Sequence, residues 1–203
     1  MAYKNTRRED CDDQFYHVYN RGINKMEIFL GEDDYNYFEK LLTRGLSKEK
    51  IYDQFSRQYS NFAGDVEVHS YCLMPNHFHF LLKQKNAGSI EKFMRSINGA
   101  YSMCFNRKYK RRGPLFESRY KAVLVKTDPQ LTHVSRYIHL NPIGYRIWDH
   151  SSYSDFVYEP REWVTTDFVL DMFPSKKAYL DYVDDYEDVK RANDKFKREI
   201  GEM

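Results

Sequence analysis

The stretch VEVHSYCLMPNHFHFLLK, residues 66–83, contains two runs of strand-forming residues on either side of a break. VEVHSYCL (66–73) and HFHFLLK (77–83) are rich in β-branched and aromatic side chains, which suit a pleated, half-buried surface. Met74, Pro75 and Asn76 separate them as a break or bulge, because proline cannot donate to a strand ladder. The runs are two strands or one bent strand. Alternate side chains of a strand share a face, so Phe78, Phe80 and Leu82 anchor a core while His77 and His79 project together on the other side.

Upstream, FYHVYNRG (15–22) forms a further strand that ends at Gly22, with Asn20, Arg21 and Gly22 opening a loop. Asp33 or Asp34 caps a helix with an apolar stripe of Tyr37, Phe38, Leu41 and Leu42, ending near Gly45. Residues 47–64 are polar, but Ile51, Phe55 and Tyr59 at steps of four would let that helix continue or restart.

Downstream, Ser89 caps a long helix over about 90–108, lined on one side by Ile90, Phe93, Met94, Ile97, Tyr101, Cys104 and Phe105; KYKRRG (108–113) ends it. RYKAVLVK (119–126) is another strand. Asp128-Pro129 starts a helix that stops at Asn141-Pro142, since proline disfavours helical geometry in the residue before it. The order β-α-β(β)-α-β-α, with closely spaced strands, predicts an α+β fold with helices over an antiparallel sheet. Residues 1–157 form the expected main domain. Residues 158–203 form an acidic, mainly helical C-terminal appendage that packs through aromatic residues such as Trp163, Phe168 and Phe173 and closes with a charged helix near 176–199.

The chain has 203 residues, 41% of them hydrophobic and 17% aromatic, enough for one core. No apolar run approaches the roughly 18 residues of a membrane span, and MAYKNTRRED at the start is polar, so a soluble, cytoplasmic protein with no membrane partner is expected. Cys11, Cys72 and Cys104 are odd in number and far apart, which suits a reducing compartment and argues against a disulfide framework. The formal charge of +2 conceals a division. Between Lys92 and Lys126 stand ten Lys or Arg against one acid, Glu117; between Asp149 and Asp188 stand eleven acids against Arg161, Lys176 and Lys177. The first segment suits a polyanion, and the second is a solvated appendage or a competitor for the same face.

Three constellations carry chemistry. His77 and His79, at i and i+2 on a strand, make half of a divalent-cation site if a third ligand arrives from elsewhere, although half-exposed strand histidines are the commoner meaning of an isolated His-x-His. On the helix after Asp128, Leu131, Val134 and Ile138 face the core while Tyr137 and Asn141, at i and i+4, share a shoulder. With 18 tyrosines in the chain, spacing alone does not single out Tyr137. Arg95, Arg107, Lys108, Lys110, Arg111, Arg112, Arg119 and Lys121 are interleaved with Tyr101, Tyr109, Phe116 and Tyr120, a mixture suited to phosphates and stacked bases of a single strand or equally to a solvated helix end.

Read in order, FYHVYNRG, VHSYCLMPNHFHFLL, SINGAYSMCFNRKYKRRGPLFESRYK, SRYIHLNP and WDHSSYSDF resemble the single-tyrosine HUH transposases, of the IS200-like kind, and among them the REP-associated tyrosine transposases; the resemblance covers about residues 13–157. It implies a ferredoxin-like fold, His77 and His79 as paired metal ligands, Tyr137 as nucleophile and Asn141 as third ligand. It further implies Mg²⁺ or Mn²⁺ as cofactor and single-stranded or hairpin DNA as partner, held by the basic residues above and Arg21. The implied reaction cuts and rejoins DNA next to a hairpin through a 5′-phosphotyrosine. The alternative is a transposase-derived protein that binds hairpin DNA or RNA without cutting it; a water-using metal phosphoesterase is a third reading. Monomer and homodimer both remain open.

Overall fold

The computed structural model describes residues 10–185. Its four strands, β1 (Gln14–Arg21), β2 (Val66–Met74), β3 (His77–Gln84) and β4 (Lys121–Val125), form one sheet in the order β2-β3-β1-β4. Every neighbouring pair is antiparallel. Helices α1 (Glu32–Leu46) and α2 (Ser89–Lys108) make the crossovers β1-α1-β2 and β3-α2-β4, which is the ferredoxin-like topology. Then follow α3 (Asp128–His139), α4 (Tyr153–Val157), α5 (Asp167–Leu170) and α6 (Lys176–Asp184).

The sheet has two covered faces. Tyr16 and Val18 of β1 join Phe78, Phe80 and Leu82 of β3 against Phe38, Leu41 and Leu42 of α1 and Phe93, Ile97 and Tyr101 of α2. Cys72 and Leu81 meet Leu131, Val134 and Ile138 of α3 and the apolar side chains of α4, α5 and α6 on the other face. The 66–83 stretch therefore forms two strands. A register shift between Val68 and Ser70 inserts the buried His69 as a bulge, turning Tyr71 and Leu73 toward α1 and α2 and Cys72 toward α3.

Several boundaries differ from the sequence expectation because other groups meet the helix ends. Gly31 precedes α1, and Asp34 accepts from Leu30 N–H at 2.9 Å from inside the helix. The N-cap of α2 is Gly88, at φ 81°, where no side chain was required, and Ser89 is already helical. Thr127, one residue before Asp128, caps α3 by accepting from Gln130 N–H. Residues 47–64 contain no helix; Tyr52 and Gln58 form an isolated bridge instead. β4 starts only at Lys121, because Asn20 turns its amide onto the carbonyls of Ser118 and Arg119, at 3.0 and 3.1 Å, and draws that loop off the ladder.

Cys72 is buried, Cys104 half-buried and Cys11 exposed, all as free thiols. The part of the expected final helix beyond Asp185 lies outside the described residues. No helix among the described residues is long and apolar enough to cross a membrane.

Candidate active site

The Met74-Pro75-Asn76 turn is gripped by the loop that follows β1. Gly22 N–H donates to the Asn76 carbonyl at 2.8 Å, and the N–H groups of Ile28 and Phe29 donate to the Pro75 carbonyl. A Cβ on residue 22 would lie 2.1 Å from the Met26 carbonyl oxygen, so the chain passes here only as glycine. This brings Arg21 beside His77, its partner across the β1–β3 ladder, and β3 carries His77 and His79 toward α3.

A hydrogen-bond chain assigns the protons on His77. Asn76 Nδ2 donates to the Lys25 carbonyl at 3.2 Å, which leaves Asn76 Oδ1 facing His77 Nδ1 at 2.6 Å. An oxygen there requires Nδ1 to carry the hydrogen, and the neutral ring then has its lone pair at Nε2. His77 Nε2 lies 3.0 Å from Asn141 Oδ1, just past the C-terminus of α3. Two acceptors at that separation suit a shared cation: adjacent ligands of an octahedral ion with bonds of about 2.1 Å stand about 3 Å apart. Among the described residues no group of three or more His, Cys, Asp or Glu could hold a metal, so a site here would depend on the Asn141 amide oxygen besides His77 and His79. That donor set fits a divalent ion.

His79 is buried, and burial, followed by the neighbouring His77, holds its ring well below the usual histidine range. It is therefore neutral near pH 7, as a ligand must be. The Tyr137 ring lies edge-on to His79, with centroids 5.4 Å apart, and edge-on to His17 of β1 at 5.9 Å. Tyr19, Arg21, His77, His79, Lys121 and Tyr137 all line one cleft of about 200 Å³.

Sequence reading missed His17. It is fully buried, stacks on Tyr19 and His79, and lies 3.0 Å through Nε2 from His79 Nδ1. The alternation of FYHVYNRG puts His17 on one face with Tyr19 and Arg21, but only the β1–β3 register places that face beside His79. His139, a nearby potential donor in sequence, points away: it is buried between Ser152 Oγ and the Tyr179 hydroxyl, each 2.8 Å from a ring nitrogen, and burial pulls it down to about 3.

The basic residues divide by surroundings. Arg21 pairs with Glu117 at 3.2 Å on the rim of the cleft, and Lys121 Nζ lies 5.5 Å from the Tyr19 ring centre. Arg95 and Arg119 line a second groove of about 600 Å³, which shares Glu117 with the cleft. Arg107, Lys110 and Arg112 are exposed around the C-terminal end of α2. Arg111 is half-buried and donates to Asn106 Oδ1. Lys108 donates to buried Asp34 at 2.7 Å, as does the Tyr109 hydroxyl. Burial alone would raise the Asp34 carboxyl, but Lys108, the Leu30 N–H and Tyr109 outweigh it and keep it ionised. Lys108 thus ties α2 to the start of α1.

A ferredoxin-like sheet with two strand histidines confronting a helix-borne tyrosine defines a recognisable class of α+β protein. Within it, this chain belongs to the IS200-like transposase family, whose model matches residues 16–141. A solved structure of a REP-associated tyrosine transposase bound to a REP hairpin shares the fold, with a TM-score of 0.56 and 14% identity over 86% of this chain and 96% of that one. A candidate transposase from Deinococcus radiodurans R1 aligns with a TM-score of 0.40 and 15% identity, over 66% of this chain and 94% of that one. A search of curated proteins yields no match.

Proposed function

We propose that this transposase-family protein cleaves and rejoins single-stranded DNA next to a hairpin, with Tyr137 as nucleophile. The observation that carries the reading is the convergence of Tyr137, His79 and His77 on one cleft, with Asn141 Oδ1 against His77 Nε2. The Tyr137 oxygen attacks phosphorus as its phenol loses a proton. The bond from phosphorus to the 3′ oxygen breaks, and that oxygen leaves as a 3′-hydroxyl after gaining a proton. The 5′ side remains joined to Tyr137 as a phosphodiester. A second 3′-hydroxyl can reverse the step and join strands without ATP.

His77, His79 and Asn141 would hold Mg²⁺ or Mn²⁺. When bound, such an ion supplies charge withdrawal at a non-bridging phosphate oxygen and alignment of the leaving oxygen. The protein's own task is to aim both imidazoles and, by burial, to keep that of His79 neutral. Arg21 and Lys121 would flank the scissile phosphate, while Arg95 and Arg119 in the groove, and Arg107, Lys110, Arg111 and Arg112 around the end of α2, would grip flanking DNA phosphates. Lys108 would contribute chiefly by holding α2 in place. The described part of the C-terminal appendage, residues 158–185, would serve as an accessory segment buttressing α3, since Val169, Tyr179 and Val183 pack in one cluster with the α3 core.

Incubation with Mn²⁺ and a pool of labelled hairpin oligonucleotides, followed by a denaturing gel, tests the reading. Label retained by wild-type protein and lost in Tyr137→Phe and His77→Ala supports it. Binding by all three proteins with no adduct in any would assign a hairpin-binding role without cleavage.

A further inference from the structure

We infer that His17 is a positioning residue whose ring nitrogen selects the tautomer of His79 that can ligate the metal. The inference rests on the metal-site reading above and concerns a residue outside the paired-histidine motif. His17 Nε2 and His79 Nδ1 lie 3.0 Å apart in nearly parallel rings, with an interplanar angle of 9° and centroids 5.1 Å apart. One hydrogen bond joins these nitrogens, and its direction has a chemical consequence. If His79 Nδ1–H donates, the neutral His79 ring carries its lone pair on Nε2. If His17 Nε2–H donates instead, His79 accepts through Nδ1 and must carry its hydrogen on Nε2, where a ligand needs a lone pair.

The same logic operates on His77, where Asn76 Oδ1 accepts from Nδ1 and leaves Nε2 as the lone pair. The two motif histidines are thus each backed at Nδ1 by a different group, an amide oxygen for one and a third imidazole for the other. Metal-bound histidines ordinarily donate their second ring N–H to such a partner, which fixes ring orientation and raises ligand basicity. His17 is held for this purpose: its residue is fully buried, paired in register with Leu81 and Val123, stacked on Tyr19 and edge-on to Tyr137.

Two substitutions of the full-length protein test the inference. Glutamine can place a carbonyl oxygen near the position of the histidine Nε2, so His17→Gln preserves an acceptor; His17→Phe preserves the ring volume and removes it. Mn²⁺ affinity, measured by electron paramagnetic resonance of the free ion, should fall about 10–100-fold in His17→Phe and recover most of that loss in His17→Gln. Long-range ¹H–¹⁵N spectra of the metal-free proteins should show His79 protonated at Nδ1 in wild type and His17→Gln, and at Nε2 in His17→Phe. Wild-type Mn²⁺ affinity in a folded His17→Phe, or an Nε2–H tautomer of His79 in the metal-free wild type, would overturn it. His79→Ala separates the two levels: unchanged Mn²⁺ affinity in that variant removes the metal-site reading itself, whereas a loss in His79→Ala with none in His17→Phe removes only the role of His17.

Discussion

The two faces of the sheet are built from different materials. Toward α1 and α2 the packing is dominated by rings and aliphatic chains: Phe38, Phe78, Phe80, Phe93 and Tyr101 are all at most 1% exposed, and Phe38 meets Tyr101 edge-on, Phe78 at a tilt and Phe80 nearly parallel. Toward α3 a polar chain runs through the core, from Ser70 to Ser135, Tyr179, His139 and Ser152, with links of 2.7–2.8 Å. Apolar packing tolerates modest shifts, whereas a hydrogen-bond chain fixes the rotation of a helix about its axis. The nucleophile candidate Tyr137 stands on the helix that is held in the second way.

The largest test of this contrast concerns chemistry. Tyr137→Phe should remove DNA cleavage by at least about a thousand-fold, since no other hydroxyl replaces the nucleophile, while hairpin affinity stays within a few-fold. A band-shift assay beside the cleavage gel reads both, and adduct formation by the variant would sink the assignment. On the opposite face, Phe80→Ala should cost about 3–5 kcal/mol in urea denaturation through the cavity it leaves. A loss below about 1 kcal/mol would mean that this face is less tightly packed than its burial implies.

The polar chain also predicts a pH dependence of stability. His139 has a folded value of about 3 against an unfolded value near 6.5, so the unfolded chain takes up the proton first. Its contribution is whole above about pH 6.5 and declines as pH falls toward 3, by an amount on the order of a few kcal/mol. His150 works in the other direction. Burial lowers it, Glu39 and Glu32 raise it on balance, and its contribution is lost as pH rises through the raised value. Urea melts of wild type and His139→Gln at pH 7.5, 5.5 and 4 isolate the first term; an unchanged slope in the variant would refute it.

Smaller effects should divide the basic segment. Arg95→Ala and Arg119→Ala should each weaken hairpin binding and lower the salt slope by about one. Lys108→Ala should chiefly lower the melting temperature, because it deprives Asp34 of its cation. Equal losses of affinity in all three, with no change in melting temperature, would erase that division.

Much of this organisation was legible in the sequence, because periodicity and strand alternation are local. The alternation of HFHFLLK placed two phenylalanines and two histidines on opposite faces, and the interval between Leu131, Val134 and Ile138 set the core face of α3; Asn141, expected on the helix shoulder with Tyr137, instead lies just past the C-terminus of α3, which ends at His139. Helix ends were less legible: Gly31, Gly88 and Thr127 stand at the N-caps, each close to an Asp or Ser that side-chain capping preference favours. Those choices turn on backbone entry angles that a neighbouring element imposes. Lys108 and His139 illustrate the same limit, since burial and partners from distant segments separate them from the chemistry their side chains suggest.

By itself the sequence determined the α+β pattern, the family resemblance and the paired histidines, all of which depend on local patterns and on their order along the chain. Only the tertiary structure decided that His17 would stand behind His79, that Asn76 would orient His77, and that Ser135 and Tyr179 would brace the tyrosine helix. Each of these joins residues that are close only through strand register or helix packing, or depends on a side-chain rotamer; a hydrogen bond requires angstrom-scale placement that a hydrophobic pattern does not encode.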